Sequence, residues 1–86
     1  MKFLVESSFK QAPTPEMLAL IPAESAHGEM LDRQGVRLAL YLAADQSRAW
    51  QIYQADSLAA VEQILASFPL HPYLQMSITL LANGPS

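Results

Sequence analysis

Eighty-six residues make one small domain, 51% apolar and 15% charged with a net charge of −3, and a chain of this size buries only about 60–65% of its unfolded surface, so association would help it. Its five basic residues, Lys2, Lys10, Arg33, Arg37 and Arg48, are scattered, which excludes a cationic stripe for nucleic acid. The longest apolar run, Leu38 to Ala44, falls far short of the ~20 residues that span a bilayer, and with no cysteine disulfides, thiolate metal sites and thiol nucleophiles are excluded together.

Residues 2–9 read as a strand, because Phe3 and Val5 alternate with Lys2 and Glu6 until Ser7, Ser8 and the Pro13-Thr14-Pro15 turn stop the pattern. The opening lacks the long apolar core and cleavage site of a secretory signal, so the expected address is the cytoplasm. Thr14 caps a helix with Pro15 at its first position. Over 15–34 Met17, Leu20, Ile21 and Leu31 keep helical spacing, Pro22 must kink or restart the element, and Gly35 ends it. Residues 36–44 are a strand with almost no polar relief, and Asp45-Gln46-Ser47-Arg48 turns the chain into a second strand over 49–54. Asp56-Ser57 caps the next helix, whose Leu58, Val61, Leu65 and Phe68 share one face. After the elbow at Pro69 and Pro72, Leu74, Met76, Ile78 and Leu80 alternate with polar residues in a closing strand over 73–82. Residues 83–86 are a loose tail.

Strand, helix, strand, strand, helix, strand is the ferredoxin-like split arrangement, an α+β domain with a four-stranded antiparallel sheet and two helices on one face. The other face stays bare unless something covers it. Here both faces read as apolar, Val36, Leu38, Leu40 and Leu42 on one side of the second strand and Ala39, Tyr41 and Ala43 on the other. Trp50 and Ile52 follow on the next strand. An exposed apolar sheet is rare in monomers, so the expected partner is a second copy, sheet against sheet in a dimeric α+β barrel. Trp50 reads as interface, although an indole can also stack on a ligand.

At about 100° per residue Glu24 falls within the stripe of Met17, Leu20, Ile21 and Leu31, where a leucine is expected. His27 and Gly28 follow on the same face, an imidazole and a gap beside a carboxylate. Burial would raise that carboxyl toward the range of a general base, tuned by His27. Alternatively the Pro22 kink turns Glu24 to solvent, or Glu24 caps the restarted helix. Arg37 and Tyr41 share one face of a strand whose other face is aliphatic, and so are candidates to line a cavity between sheet and partner, with Gln75, Ser77 and Thr79 from the last strand. Arg37 can equally reach solvent from the strand end. His71 is a weaker candidate in the elbow. Two histidines without paired acids make a poor metal site, and no phosphate loop or serine elbow is present, so neither metal nor cofactor is expected.

The run from Asp56-Ser57 to Leu80, with its elbow Phe68-Pro69-Leu70-His71-Pro72-Tyr73, resembles the muconolactone isomerase family, and the stretch from Glu24 through Arg33 to Gly35 fits without gaps. The resemblance implies a cofactor-free proton transfer on an unsaturated lactone, dimers that assemble into larger rings, and Glu24 as proton carrier. After the glycine the isomerases resemble Trp-Arg-His followed by Trp-Arg, whereas this chain has Val36-Arg37-Leu38-Ala39-Leu40-Tyr41-Leu42. Arg37 is thereby displaced by one residue, which on a regular strand is the opposite face. The readings that follow are an isomerase acting on a small lactone or related carbonyl metabolite, a non-catalytic dimeric binding module on the same barrel, and a cofactor-free monooxygenase.

Overall fold

Thr14 starts the helical half of the chain as expected: its Oγ1 accepts from the Met17 N–H at 3.2 Å, and Pro15 takes the first turn. A computed structural model describes residues 1–82, so the tail at 83–86 lies outside the described residues. Strand β1 (Lys2–Phe9) is followed by helix α1 (Pro15–Leu18) and helix α2 (Ile21–Arg33). Pro22 therefore restarts rather than kinks the segment. It lacks the N–H that would continue the first helix, and it sits in the opening turn of the second, where a missing donor costs nothing.

Gly35 ends α2 in the left-handed region, φ +73°. Its N–H donates to the Asp32 carbonyl at 3.1 Å and the Val36 N–H to the Leu31 carbonyl at 3.0 Å, the paired bonds of a Schellman cap. Strands β2 (Arg37–Leu42) and β3 (Ala49–Gln54) form the expected hairpin, whose turn is held by the Asp45 carboxylate accepting from the Ser47 N–H and hydroxyl. Helix α3 (Leu58–Ala66) is capped by Ser57, whose Oγ accepts from the Ala60 N–H at 3.1 Å. The elbow makes a single 3-10 turn over His71–Tyr73 and leads into strand β4 (Leu74–Leu81).

The sheet order is β2-β3-β1-β4 with every neighbouring pair antiparallel, the ferredoxin-like arrangement. Its helix-facing side carries the core: Phe3, Val5 and Tyr53 from the strands meet Leu31 of α2, Val61 and Leu65 of α3, and Phe68. Of the stripe expected on α3, Leu58 is the exception, left exposed at the first turn. The open side shows Leu4, Ile52, Trp50, Ala39 and Tyr41 on its three adjoining strands and Gln75, Ser77 and Thr79 on β4.

One expectation about β2 is corrected. Arg37 pairs with Tyr53, yet Ala39 pairs with Ile52, so Leu38 is an extra residue, a β-bulge. Strict alternation is broken there, and Arg37 joins Leu40 and Leu42 on the helix-facing side while Tyr41 faces the opposite way. Arg37 and Tyr41 do not share a face.

Candidate active site

Between α2 and the helix-facing side of the sheet lies a cavity of about 390 Å³, within the range of small-molecule sites. Ile21, Glu24, Ser25 and Glu29 of α2 form one wall; Ser7 and Phe9 of β1, Arg37, Leu40 and Leu42 of β2, and Ala49 and Gln51 of β3 form the floor. Phe68 and Leu70 of the elbow and Leu74 after it close one end, and the hairpin turn residues 46–48 stand at the rim. The surface of this lining is mostly apolar, while Glu24, Glu29, Arg37, Arg48 and Gln51 bring charged and amide groups to it.

Glu24 is half-buried and its Oε1 accepts from the Leu70 N–H at 2.9 Å. The bond joins the first turn of α2 to the elbow, where the Pro69 and Pro72 nitrogens have no hydrogen to offer. Glu24 caps no helix: the N-terminus of α2, at Leu20, has no side-chain cap. Burial raises the Glu24 carboxyl above its ordinary value, opposed by the Leu70 N–H and more weakly by the nearby His27, Arg37 and His71.

Arg37 is held from several sides. Its Nε donates to Asp32 Oδ1 at 2.7 Å and its Nη2 to Asp32 Oδ2 at 2.9 Å, while Nη1 donates to Gln51 Oε1 at 3.3 Å. The first two form a bidentate pair, the strongest geometry a carboxylate offers a guanidinium. The Schellman turn brings the two partners together, since Asp32 is in the last turn of α2 and Arg37 opens β2. The pair lowers the Asp32 carboxyl and raises Arg37. Gly28 packs over this guanidinium: a Cβ there would lie 2.6 Å from Nη1 and 2.8 Å from Cζ. The gap beside Glu24 is thus filled by Arg37. Beneath it the Tyr53 hydroxyl donates to the same Gln51 Oε1, and burial pushes the phenol well above its usual value.

The remaining candidates lie elsewhere. His27 Nε2 shares a 2.7 Å hydrogen bond with Ser67 Oγ, and its ring meets the Phe68 ring edge-on with centroids 4.7 Å apart. The Ser67 hydroxyl also lies against the Ile64 carbonyl, so it ties His27 to the last turn of α3. His27 faces the end of α3 rather than the cavity. His71 is half-buried in the elbow, where its charge reaches Glu24 without a hydrogen bond. Gln75 lies on the open side and donates from Nε2 to Ser8 Oγ at 3.1 Å, and Tyr41 is 65% exposed on that side. Trp50, also there, donates from Nε1 to Glu6 Oε2 at 3.0 Å.

Sequence reasoning missed Asp32, Gln51 and Tyr53. The available signal was the alternation of Gln51 and Tyr53 on one side of β3, which places both beside Arg37 once the bulge is known. Among the described residues no group of three or more histidine and acidic side chains could hold a metal ion, and no helix is long and apolar enough to cross a membrane.

No curated protein sequence matches the chain. Among solved structures it is similar to the crystal structure of muconolactone isomerase, with a TM-score of 0.82 and 22% identity over 100% of this chain and 93% of that one. It is also similar to 5-chloro-2-hydroxyhydroquinone dehydrochlorinase from Burkholderia phenoliruptrix, solved in complex with 2,5-dihydroxybenzoquinone, with a TM-score of 0.68 and 16% identity over 99% and 97% of the two chains. Both likenesses show a common fold. The sequence profile described as muconolactone delta-isomerase matches residues 1–86, end to end. The chain belongs to the muconolactone delta-isomerase family.

Proposed function

We propose that this protein moves a proton between carbons of a small unsaturated lactone or related carbonyl metabolite, without a cofactor, with Glu24 as the proton carrier. The observation that carries the reading is Glu24 itself, a carboxylate raised by burial in a cavity of about 390 Å³ with mostly apolar walls. A base so placed has a basicity closer to the working pH than a free carboxylate, which favours proton abstraction. In the forward step the Glu24 carboxylate removes a proton from the carbon beside the carbonyl, and the electron pair passes into a dienolate. The resulting carboxylic acid returns the proton to the far carbon, and the double bond shifts. Arg37, with N–H groups beyond those bonded to Asp32 and Gln51, would donate to the enolate oxygen. A relative of the same fold crystallised with a quinone supports a flat, oxygenated ring as the occupant.

His27 acts on this chemistry through position, by fixing Phe68 at the cavity wall and by its electrostatic influence on Glu24. On the open side of the sheet, the proposed partner is a second copy of the chain.

The test is double-bond migration in butenolides, followed by absorbance and by deuterium uptake from heavy water. Glu24→Gln keeps the size and can still accept from the Leu70 N–H, so the fold should survive, while turnover should fall by about 10²–10⁴-fold. Wild-type protein that binds butenolides without exchanging their protons would instead leave a non-catalytic binding module.

A further inference from the structure

We propose that the cavity selects an uncharged, ring-sized carbonyl compound, and that Asp32 sets this preference by occupying Arg37. The inference rests on the reading of the cavity as a ligand site and adds the charge of what it holds.

Two guanidiniums line the cavity, and each already has a carboxylate. Arg37 is bound in bidentate fashion by Asp32 at 2.7 and 2.9 Å, and Arg48 is paired with Glu6 at 3.0 Å. Two further carboxylates, Glu24 and Glu29, line the same space, and neither has an ion-pair partner among the described residues. A carboxylate-bearing ligand would meet a guanidinium whose charge Asp32 already compensates, and would face those two acids at close range. Gly28 packs over the guanidinium, and a Cβ there would be 2.6 Å from Nη1, so Arg37 has little room to swing toward a new anion.

A neutral ligand meets none of these costs. Asp32 and Gln51 engage three of the five guanidinium N–H groups, leaving one on each of Nη1 and Nη2. Such a group polarises a carbonyl oxygen by hydrogen bonding without serving as a counterion. Asp32 is here a positioning residue: it touches Arg37 and determines what Arg37 can recognise.

The experiment uses muconolactone and its primary carboxamide, which match in shape and differ in charge, titrated into the whole protein and into Asp32→Asn by NMR. Asp32 has a side chain 46% exposed, so the variant should fold. Wild-type protein should bind the carboxamide at least about tenfold more tightly than the acid, with shifts in the backbone N–H resonances of Leu40, Leu70 and Leu74. Asp32→Asn should tighten binding of the acid at least about tenfold and leave the carboxamide within about threefold. Equal or tighter binding of the acid by the wild type, with the same resonances moving, overturns the charge preference and leaves the ligand site standing. An unchanged acid-to-amide ratio in Asp32→Asn overturns the role of Asp32. Failure of both compounds to move those resonances overturns this inference and the site reading beneath it.

Discussion

Glu24 and Asp32, both on α2, are shifted in opposite directions by their surroundings, and each shift has a pH consequence. Burial is the largest influence on Glu24, and it disfavours the charged form; the Leu70 N–H only partly restores it. The folded-state value is therefore above the ordinary 4.5. In the window between the two the folded protein holds a proton that the unfolded chain has lost, so Glu24 makes stability fall as pH rises through it. The proposed proton transfer would run the other way, because its base must be ionised. The ascending limb of the pH–rate profile for butenolide migration should lie above pH 4.5 and vanish with Glu24→Gln; a limb at or below the ordinary value would rule Glu24 out as the titrating base. For Asp32 the pair with Arg37 lowers the carboxyl below its ordinary 3.8. Its stabilisation is present above that value and is lost as pH falls through the lowered one, an effect kept small by solvent around Asp32.

Among the elements, α2 and β2 matter most, and two glycines hold them in place for different reasons. Gly35 is required by conformation: its φ of +73° is costly for a side-chain-bearing residue, although nothing lies within 4 Å of where a Cβ would stand. Gly35→Ala should cost about 1–2 kcal/mol in urea unfolding. Gly28 is required by space. Alanine there gains about 1 kcal/mol of helix propensity but drives the guanidinium of Arg37 off Asp32, so net stability should change little. The readout is the Asp32 carboxyl, which should return toward 3.8 in an NMR titration of Gly28→Ala; an Asp32 value that stays depressed would show that Arg37 keeps its place. The same two elements mark how far sequence could be read. Glu24 was legible because it stands at helical spacing from Ile21 and Leu31, and α2 is one helix from Ile21 to Arg33, so a carboxylate at that position stands out. The side on which Arg37 lies was not legible, because a bulge at Leu38 lies in a run of apolar residues from Leu38 to Ala44 that fits either register equally well. Asp32 was missed for a related reason: its partner is reached across the Schellman turn, through a backbone geometry that residue spacing alone does not reveal.

For the whole molecule, the two sides of the sheet have separate physical problems. The helix-facing side is closed by α2 and α3 except at the cavity, whereas among the described residues no layer covers the open side. Leu4, Ile52, Trp50, Ala39 and Tyr41 form a continuous apolar region there, bordered by Glu6 of β1 and by Gln75, Ser77 and Thr79 of β4. An apolar centre with a polar margin is the composition of an interface, and a chain of 86 residues has little stability to leave such a surface wet. A second copy placed sheet to sheet would cover it. Light scattering should then give about twice the chain mass at micromolar concentration. Ile52 pairs with both Leu4 and Ala39 at the centre of this region, so Ile52→Glu would bury an unpaired charge in the dimer and nothing comparable in the monomer. The variant should dissociate at least about 100-fold more readily and lose thermal stability, with the Glu24 to Leu70 bond on the other side intact by NMR. Wild-type protein that stays monomeric, or a variant that dimerises as well as the wild type, would mean that this side of the sheet is covered by something other than its own copy.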